Sequence, residues 1–563
     1  MQSTEPTIIE LNIRELEEAF DRAQTTLDPK DFALFKTMAE SYLYFAEYIG
    51  SKNATIARLR KMIFGATTEK TAAVVGKQSD TSSDTPSEAD SAAMSATPGP
   101  AADAENGGKK PPKGHGRNGA AAYSGAEKVR VALESLQAGD ACPSCGQGTL
   151  YNSIPGVVLR LVGQSPIRAT IYELQKLRCN LCGTLFTATS PVGEEKYDAT
   201  AGSMIALLKY GSGMPFHRME GLQEHLGIPL PASTQWDIVR DKAEQVEPAF
   251  NELLRQAAQG DVVHNDDTTV KILELMNRRK ARQEALAEDA SEGSAEKDPS
   301  QRSGMFTTGI VSISEEHKIA LFLSGQKHAG ENLKEVLVQR AAELPAPIQM
   351  CDALSRNMPA GLKTVLSHCL AHGRRQFVNV AEQFPDECRH VLESFSVVYR
   401  NDAVARERNL SPAERLLFHQ TESGPTMEEL HAWLDRQFPE RRVERNSGLG
   451  GAISYLLKHW EKLTLFLRVA GAPLDNNICE RALKKAILHR KNALFYKTCN
   501  GAHVGDIYMS LIYTCEFCGA NPFDYLTQLE RHAEELSANP QDWMPWNYRQ
   551  TLDGTATLST LPR

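Results

Sequence analysis

Between Phe35 and Ile63 the apolar residues Phe35, Met38, Tyr42, Phe45, Ile49, Ile56, Leu59 and Ile63 recur at alternating steps of three and four, interrupted only by Lys52. That spacing lays one apolar stripe along a helix, which suits either a self-associating coiled coil or a helix packed within its own subunit. From Thr200 to Ala257 the pattern is again helical. The stretch GLQEHLGIPLPASTQWDIVRDKA reads as two helices divided by a Gly/Pro turn, either a helix-turn-helix with its reader after Ser233 or a structural pair. The pattern then shortens to apolar runs of strand length: DVVHNDDTTVKIL, GMFTTGIVSI and KIALFLSGQKHAG. A helix at ENLKEVLVQRA follows, then a short strand from Pro347 that ends in Asp352, then the strand-to-helix step TVLSHCLAHGRRQFVNVAEQF.

Three strands, a helix, a strand ending in an acid and a further strand are the order of a ribonuclease-H-like sheet. The first and fourth strands of that sheet are neighbours. Two polar stretches interrupt the pattern. Residues 71–125 have almost no large apolar side chains and cannot offset their ordering entropy, so a flexible linker is expected. Its end, with Lys109, Lys110, Lys113 and Arg117 among Pro and Gly, suits either a phosphate backbone or plain solvation. Residues 277–303 read as a surface insertion.

A chain of 563 residues is too long for one core, so several domains are expected. The formal net charge of −9 excludes a uniformly basic polypeptide and makes any nucleic-acid contact local. No run of about 18 apolar residues is present, so no membrane partner is expected. The first twenty residues are acidic and helical in pattern, without the regions of an export signal, and a cytoplasmic location is expected. Eleven cysteines, four of them in two C-x-x-C pairs, favour thiolate–metal chemistry over a disulfide framework.

Those pairs, Cys142/Cys145 and Cys179/Cys182, are matching C-x-x-C-G knuckles either side of a Val/Leu/Ile-rich stretch, the pattern of a four-thiolate structural zinc ribbon. Cys515 and Cys518 end an apolar helix before Gly519 and read as structural. Three acids fall on the sheet elements. Asp266 lies in the first strand and Asp352 at the end of the fourth. Glu480 lies about one and a half turns into a helix that Asp475 could cap. Each alone is ordinary; together they form a candidate centre for two magnesium or manganese ions, one activating the attacking oxygen and one stabilising the leaving oxygen of a phosphodiester. Around Glu480, residues 478–500 carry Arg481, Lys484, Lys485, Arg490, Lys491 and Lys497 against that single acid, a local net of +5 where phosphate should bind. In HCLAHGRR, Cys369 and His372 share a helical face and allow a metal site, but phosphate contact by Arg374 and Arg375 is preferred. His372, Asn476 and Asn477 are candidate walls of the acidic site.

The segments LRKMIFGATTEK, the paired C-x-x-C ribbon, KYGSGMPFHRMEGLQEHLGIPLPASTQWDIV, HNDDTTVKIL, HCLAHGRRQF, DNNICERALKKAILHRKNALF and SLIYTCEFCGANPFDYL, in that order, resemble the insertion-sequence-66 family of bacterial DDE transposases. The resemblance implies magnesium-dependent cleavage at element ends and joining of 3′ ends to target DNA, with the acidic triad on Asp266, Asp352 and Glu480. The family's usual Asp-Glu-Thr-Pro is replaced by Asp266-Asp267-Thr268-Thr269, which makes Asp267 a rival ligand, and Ala353 stands where glycine is usual. The expected architecture is multidomain α+β. It runs from a coiled-coil segment (1–70) through the linker (71–125), the zinc ribbon (126–190) and a helical DNA-binding block (191–260). A ribonuclease-H-like catalytic domain (261–530, with a helical insertion at 380–470) and a C-terminal tail (531–563) complete it. The expected partners are double-stranded DNA, further copies of the chain as a homo-oligomer, and accessory proteins of the same element. The competing class is a non-catalytic zinc-containing DNA-binding regulator or a decayed transposase copy, which needs no acidic triad.

Overall fold

The computed structural model describes residues 28, 32, 137–140, 149–150, 166–178, 185–191, 196–289 and 304–559. The expected coiled coil, the basic linker end, the four cysteines Cys142, Cys145, Cys179 and Cys182, and the end of the polar insertion lie outside those residues.

In chain order the elements are β1 (Lys176–Arg178) and β2 (Leu185–Thr187), an antiparallel pair, then α1 (Ala199–Ala206), which runs into a π-turn, α2 (Phe216–His225) and α3 (Ala232–Ala257). Next come β3 (Val262–Thr269), α4 (Leu273–Asp289), β4 (Phe306–Ile313), β5 (Lys318–Gly325), α5 (Ala329–Leu337), β6 (Ile348–Cys351) and β7 (Val365–His368). Five helices follow: α6 (Leu370–Val380), α7 (Pro385–Glu407), α8 (Pro412–Glu422), α9 (Gly424–Gln437) and α10 (Gly448–Leu463). The chain continues with α11 (Asn477–Ala493), α12 (Cys499–Cys518), α13 (Pro522–Arg531), α14 (Ala533–Ala538) and α15 (Tyr548–Ser559). Among the described residues the contacts give two compact units: Leu370–Trp460 with Leu467–Ala470, and 137–369 with Glu461–Phe466 and 471–559.

In the helical unit, α7 buries Val391, Leu392, Phe395 and Val398 on one face. Its Asp402 is buried against Arg415 (2.7 Å) and His419 (3.3 Å). Burial opposes ionisation there, but the His419 hydrogen bond and the arginines outweigh it and hold the carboxyl down at about 2. The sequence Ser-Pro-Ala-Glu starts α8 with a capping box, Glu414 accepting from the Ser411 N–H at 2.9 Å and Ser411 from that of Glu414 at 3.4 Å.

In the other unit the strands pair in the order β5-β4-β3-β6-β7, antiparallel from β5 to β3 and parallel from β3 to β7. The first and fourth strands in sequence are thus neighbours. Helix α3 lays Ile238, Val239, Val246, Phe250 and Leu253 into the core, and α12 is buried over most of its length. Alongside the outer strand β5, α12 presents Asp506, Ser510 and Thr514, which accept from the backbone N–H groups of Ser324 (2.6 Å), Phe322 (2.9 Å) and Ala320 (3.1 Å). Four residues of helix rise about 6 Å and two residues of strand about 6.6 Å, so the two ladders stay in step. The helix stops at Gly519, whose φ of +67° suits glycine.

Residues 273–289 are helix, because Arg, Lys, Gln, Ala and Glu favour helix even without an apolar period. The two helices that read as either a helix-turn-helix or a structural pair are α2 and α3, and α3 lays its apolar face on the core. The stretch beyond Leu536 is packed rather than trailing: Trp543, Met544 and Tyr548 are buried, and Tyr525 donates to the Trp543 carbonyl at 2.8 Å.

Candidate functional site

Along β3 the side chains alternate between faces, so His264 and Asp266 share one face while Asn265 and Asp267 share the other. Helix α11 covers the first face because residue 309, opposite Asp266 in the β3–β4 register, is glycine. A Cβ there would stand 2.8 Å from the Leu483 side chain. The approach is closed by the Cys479 thiol, which donates to the Gly309 carbonyl at 3.3 Å. Glu480 is the next residue, in the first turn of α11 rather than one and a half turns in. Asn476, not Asp475, is the cap position, although Asp475 accepts from the Asn477 N–H at 3.1 Å and from its amide at 2.8 Å.

Asp352 follows β6 directly, beside β3, and accepts from the Leu354 N–H at 3.2 Å and from the Asn357 amide. Burial, and then the negative fields of Asp352, Asp267 and Glu480, push the Asp266 carboxyl up to about 7. The Asp267 N–H, donating to Asp266 at 2.8 Å, acts against that rise. The Asp266 carboxyl thus feels the fields of both Asp352 and Glu480, and carboxylate oxygens are the hard donors that divalent ions of the magnesium class take.

Asp267, the rival ligand, faces away. Its carboxylate bonds His328 at 3.0 Å and meets Arg356 at 3.4 Å on the α5 side of the sheet.

The acids are held by a buried polar network, of which the sequence pointed only to Asn476. Asn476 accepts from His264 Nδ1 (3.0 Å) and donates to the Asn265 carbonyl (3.1 Å), fixing the start of α11 to β3. Asn265 donates to the Asn357 carbonyl (2.8 Å) and accepts from Gln349 (2.8 Å), fixing β3 to β6 and to the loop that holds Asp352. Burial pulls His264 down to about 4, so it is neutral and its Nδ1–H is the donor to Asn476. The available signal was two polar residues, His264 and Asn265, inside a strand that otherwise reads as buried.

Among the basic residues, Arg481, Lys484 and Lys491 are exposed along α11. Lys485 pairs with Glu516 (3.2 Å), and Arg490 donates to Thr268 (3.2 Å) and Thr269 (2.6 Å). Asn477 is exposed and bonded to Asp475. Cys369 sits between β7 and α6, where its sulfur accepts from the Asn476 N–H at 3.2 Å. His372, Arg374 and Arg375 are on α6 and belong to the helical unit. Cys515 is buried and Cys518 partly buried, both as free thiols.

The chain is 23% identical over 466 residues to the uncharacterized protein y4hP of Sinorhizobium fredii, covering 77% of each. It is also 33% identical over 196 residues to y4jD of the same organism, 34% of this chain and 37% of that one, and 25% identical over 361 residues to y4qI, 62% of each. A family model described as Transposase IS66 family matches residues 196–504, from the start of the helices before β3 into α12. That match takes in more than half of the sequence, including Asp266, Asp352 and Glu480, and the chain belongs to the IS66 transposase family.

Proposed function

We propose that this chain is the DNA transposase of a bacterial insertion sequence, cutting phosphodiesters at the element's ends and joining the freed 3′ ends to target DNA. Asp266, Asp352 and Glu480 would hold the two divalent ions on a ribonuclease-H-like sheet. The observation that carries this reading is the raised Asp266 carboxyl, loaded with negative charge by Asp352 and Glu480 from two other elements. Bound magnesium or manganese would supply charge stabilisation at the attacked phosphodiester. The chain's own contribution is to position. Gly309 and Asn476 fix α11 and with it Glu480; Asn357 fixes Asp352. The exposed Arg481, Lys484 and Lys491 meet the phosphate backbone.

The test is nicking and joining on a plasmid carrying the element's ends, with magnesium or manganese and any accessory proteins of the element. Asp266→Asn, Asp352→Asn and Glu480→Gln should each lower the rate by about 10³-fold or more while DNA binding persists. A regulator or decayed copy would bind DNA without cutting it, and the triad substitutions would then change nothing.

A further inference from the structure

At the end of α11 the chain makes a strained turn. Leu494 has φ +68°, a left-handed conformation that strains a non-glycine residue. Its N–H donates to the Arg490 carbonyl and that of Phe495 to the Ala493 carbonyl, each at 2.8 Å. The outcome is two successive large apolar side chains turned to solvent, Leu494 at 62% and Phe495 at 44% exposure. The turn is fixed on both sides. Asn492 donates to the Gly213 carbonyl at 3.0 Å. Tyr496 is buried, stacks on His489 with centroids 5.0 Å apart, donates its N–H to Lys271 (2.9 Å) and accepts from that of Leu273 (2.9 Å). A frayed helix end would have none of these anchors.

The surroundings are cationic. Lys491 and Lys497 flank the pair and are exposed, as are Lys271 and, on the first turns of α4, Arg279 and Lys280. The acid nearest in those segments, Glu274, is taken by Arg278 and the Cys499 N–H. Arg490 ties the turn to Thr268 and Thr269, two and three residues beyond Asp266, hence about 7–10 Å along the same strand. An apolar tip ringed by cations matches a polyanion with an apolar interior, which describes duplex DNA and its stacked bases.

Resting on the transposase reading above, we infer that Leu494 and Phe495 form an apolar wedge that enters the duplex beside the cleavage position and unstacks a base step, with Lys491 and Lys497 on the adjacent phosphates. Unstacking frees the strand that must reach the carboxylates of β3, β6 and α11.

The test uses full-length protein on an uncut background, Asp352→Asn, with a duplex carrying the element's terminal repeat. Unstacked thymines are mapped by permanganate and binding by gel shift. Asp352→Asn should make one or two thymines near the end reactive. Adding Leu494→Ala and Phe495→Ala should lower that reactivity roughly tenfold with binding retained, whereas Leu494→Met with Phe495→Leu, which keeps apolar bulk, should preserve it. Unchanged reactivity in the alanine variant, or a bound duplex with no reactive thymine in the parent, overturns the wedge and leaves the transposase reading standing. Absence of DNA binding by the wild-type chain overturns both.

Discussion

Burial, and then the fields of Asp352, Asp267 and Glu480, push the Asp266 carboxyl up to about 7. A group raised in this way contributes stability that is full below about 4 and lost as pH rises through 7. Asp266→Asn should therefore raise the Tm of the metal-free protein at pH 8, by an amount equivalent to about 1–3 kcal/mol, with the difference vanishing near pH 4. Magnesium should stabilise the wild type more than the variant. Equal melting at pH 8 would mean that the three acids do not crowd. Of these residues the sequence made the acids visible, since they stand at strand positions and a helix start where carboxylates converge. Asn476 was read only as a wall of the acidic site, and Asn265 and Asn357 were not visible, because their partners lie 92 and 8 positions away and no local pattern joins them.

At the scale of elements, the approach of α11 to the sheet depends on the missing side chain at 309. Gly309→Ala sets a methyl group 2.8 Å from Leu483 and should cost about 1–3 kcal/mol in a urea melt. It should also lower cleavage, since Glu480 moves with the helix. Asn476→Ala leaves His264 and the Asn265 carbonyl without their partner; the expected loss is about 2–4 kcal/mol. A variant as stable as wild type would show that other contacts carry the α11–β3 junction. Elements with a strong period, such as α3 and the strands β3 to β7, were legible from sequence. Helix α4 was less so: its residues favour helix but present no apolar stripe, so propensity alone distinguished it from a loop. The C-terminal segment hid its role for a different reason. Trp543 and Trp546 carry no chemistry motif, and only the fold shows one buried and the other stacked on His317 at 4.1 Å.

Over the whole molecule, buried titratable groups bound the pH range of stability from both sides. Burial pulls His264 down to about 4, and burial with Lys209 pulls His489 down to about 3. Both must stay neutral, so stability falls as pH drops below about 6.5. Burial pushes Glu530 and Asp506 up to about 8, and their contribution is lost as pH rises through that value. Three raised acids against two lowered histidines should make thermal melts across pH 5–9 fall with rising pH, most steeply between about 6.5 and 8, and Glu530→Gln, which keeps an acceptor for Ser203, should flatten that alkaline limb. A limb unaffected by that change would place the loss elsewhere.

The match between α12 and β5 bears on how copies of the chain can assemble. An outer strand with open N–H groups is a template for a strand from another molecule, and here the groups at 320, 322 and 324 are already taken by a helix. The sheet is therefore closed to strand addition on that side, and any assembly of copies has to be joined through other surfaces. Replacing Ser510 and Thr514 with alanine and valine would reopen the template, turning a protected border into a nucleus for intermolecular strand addition.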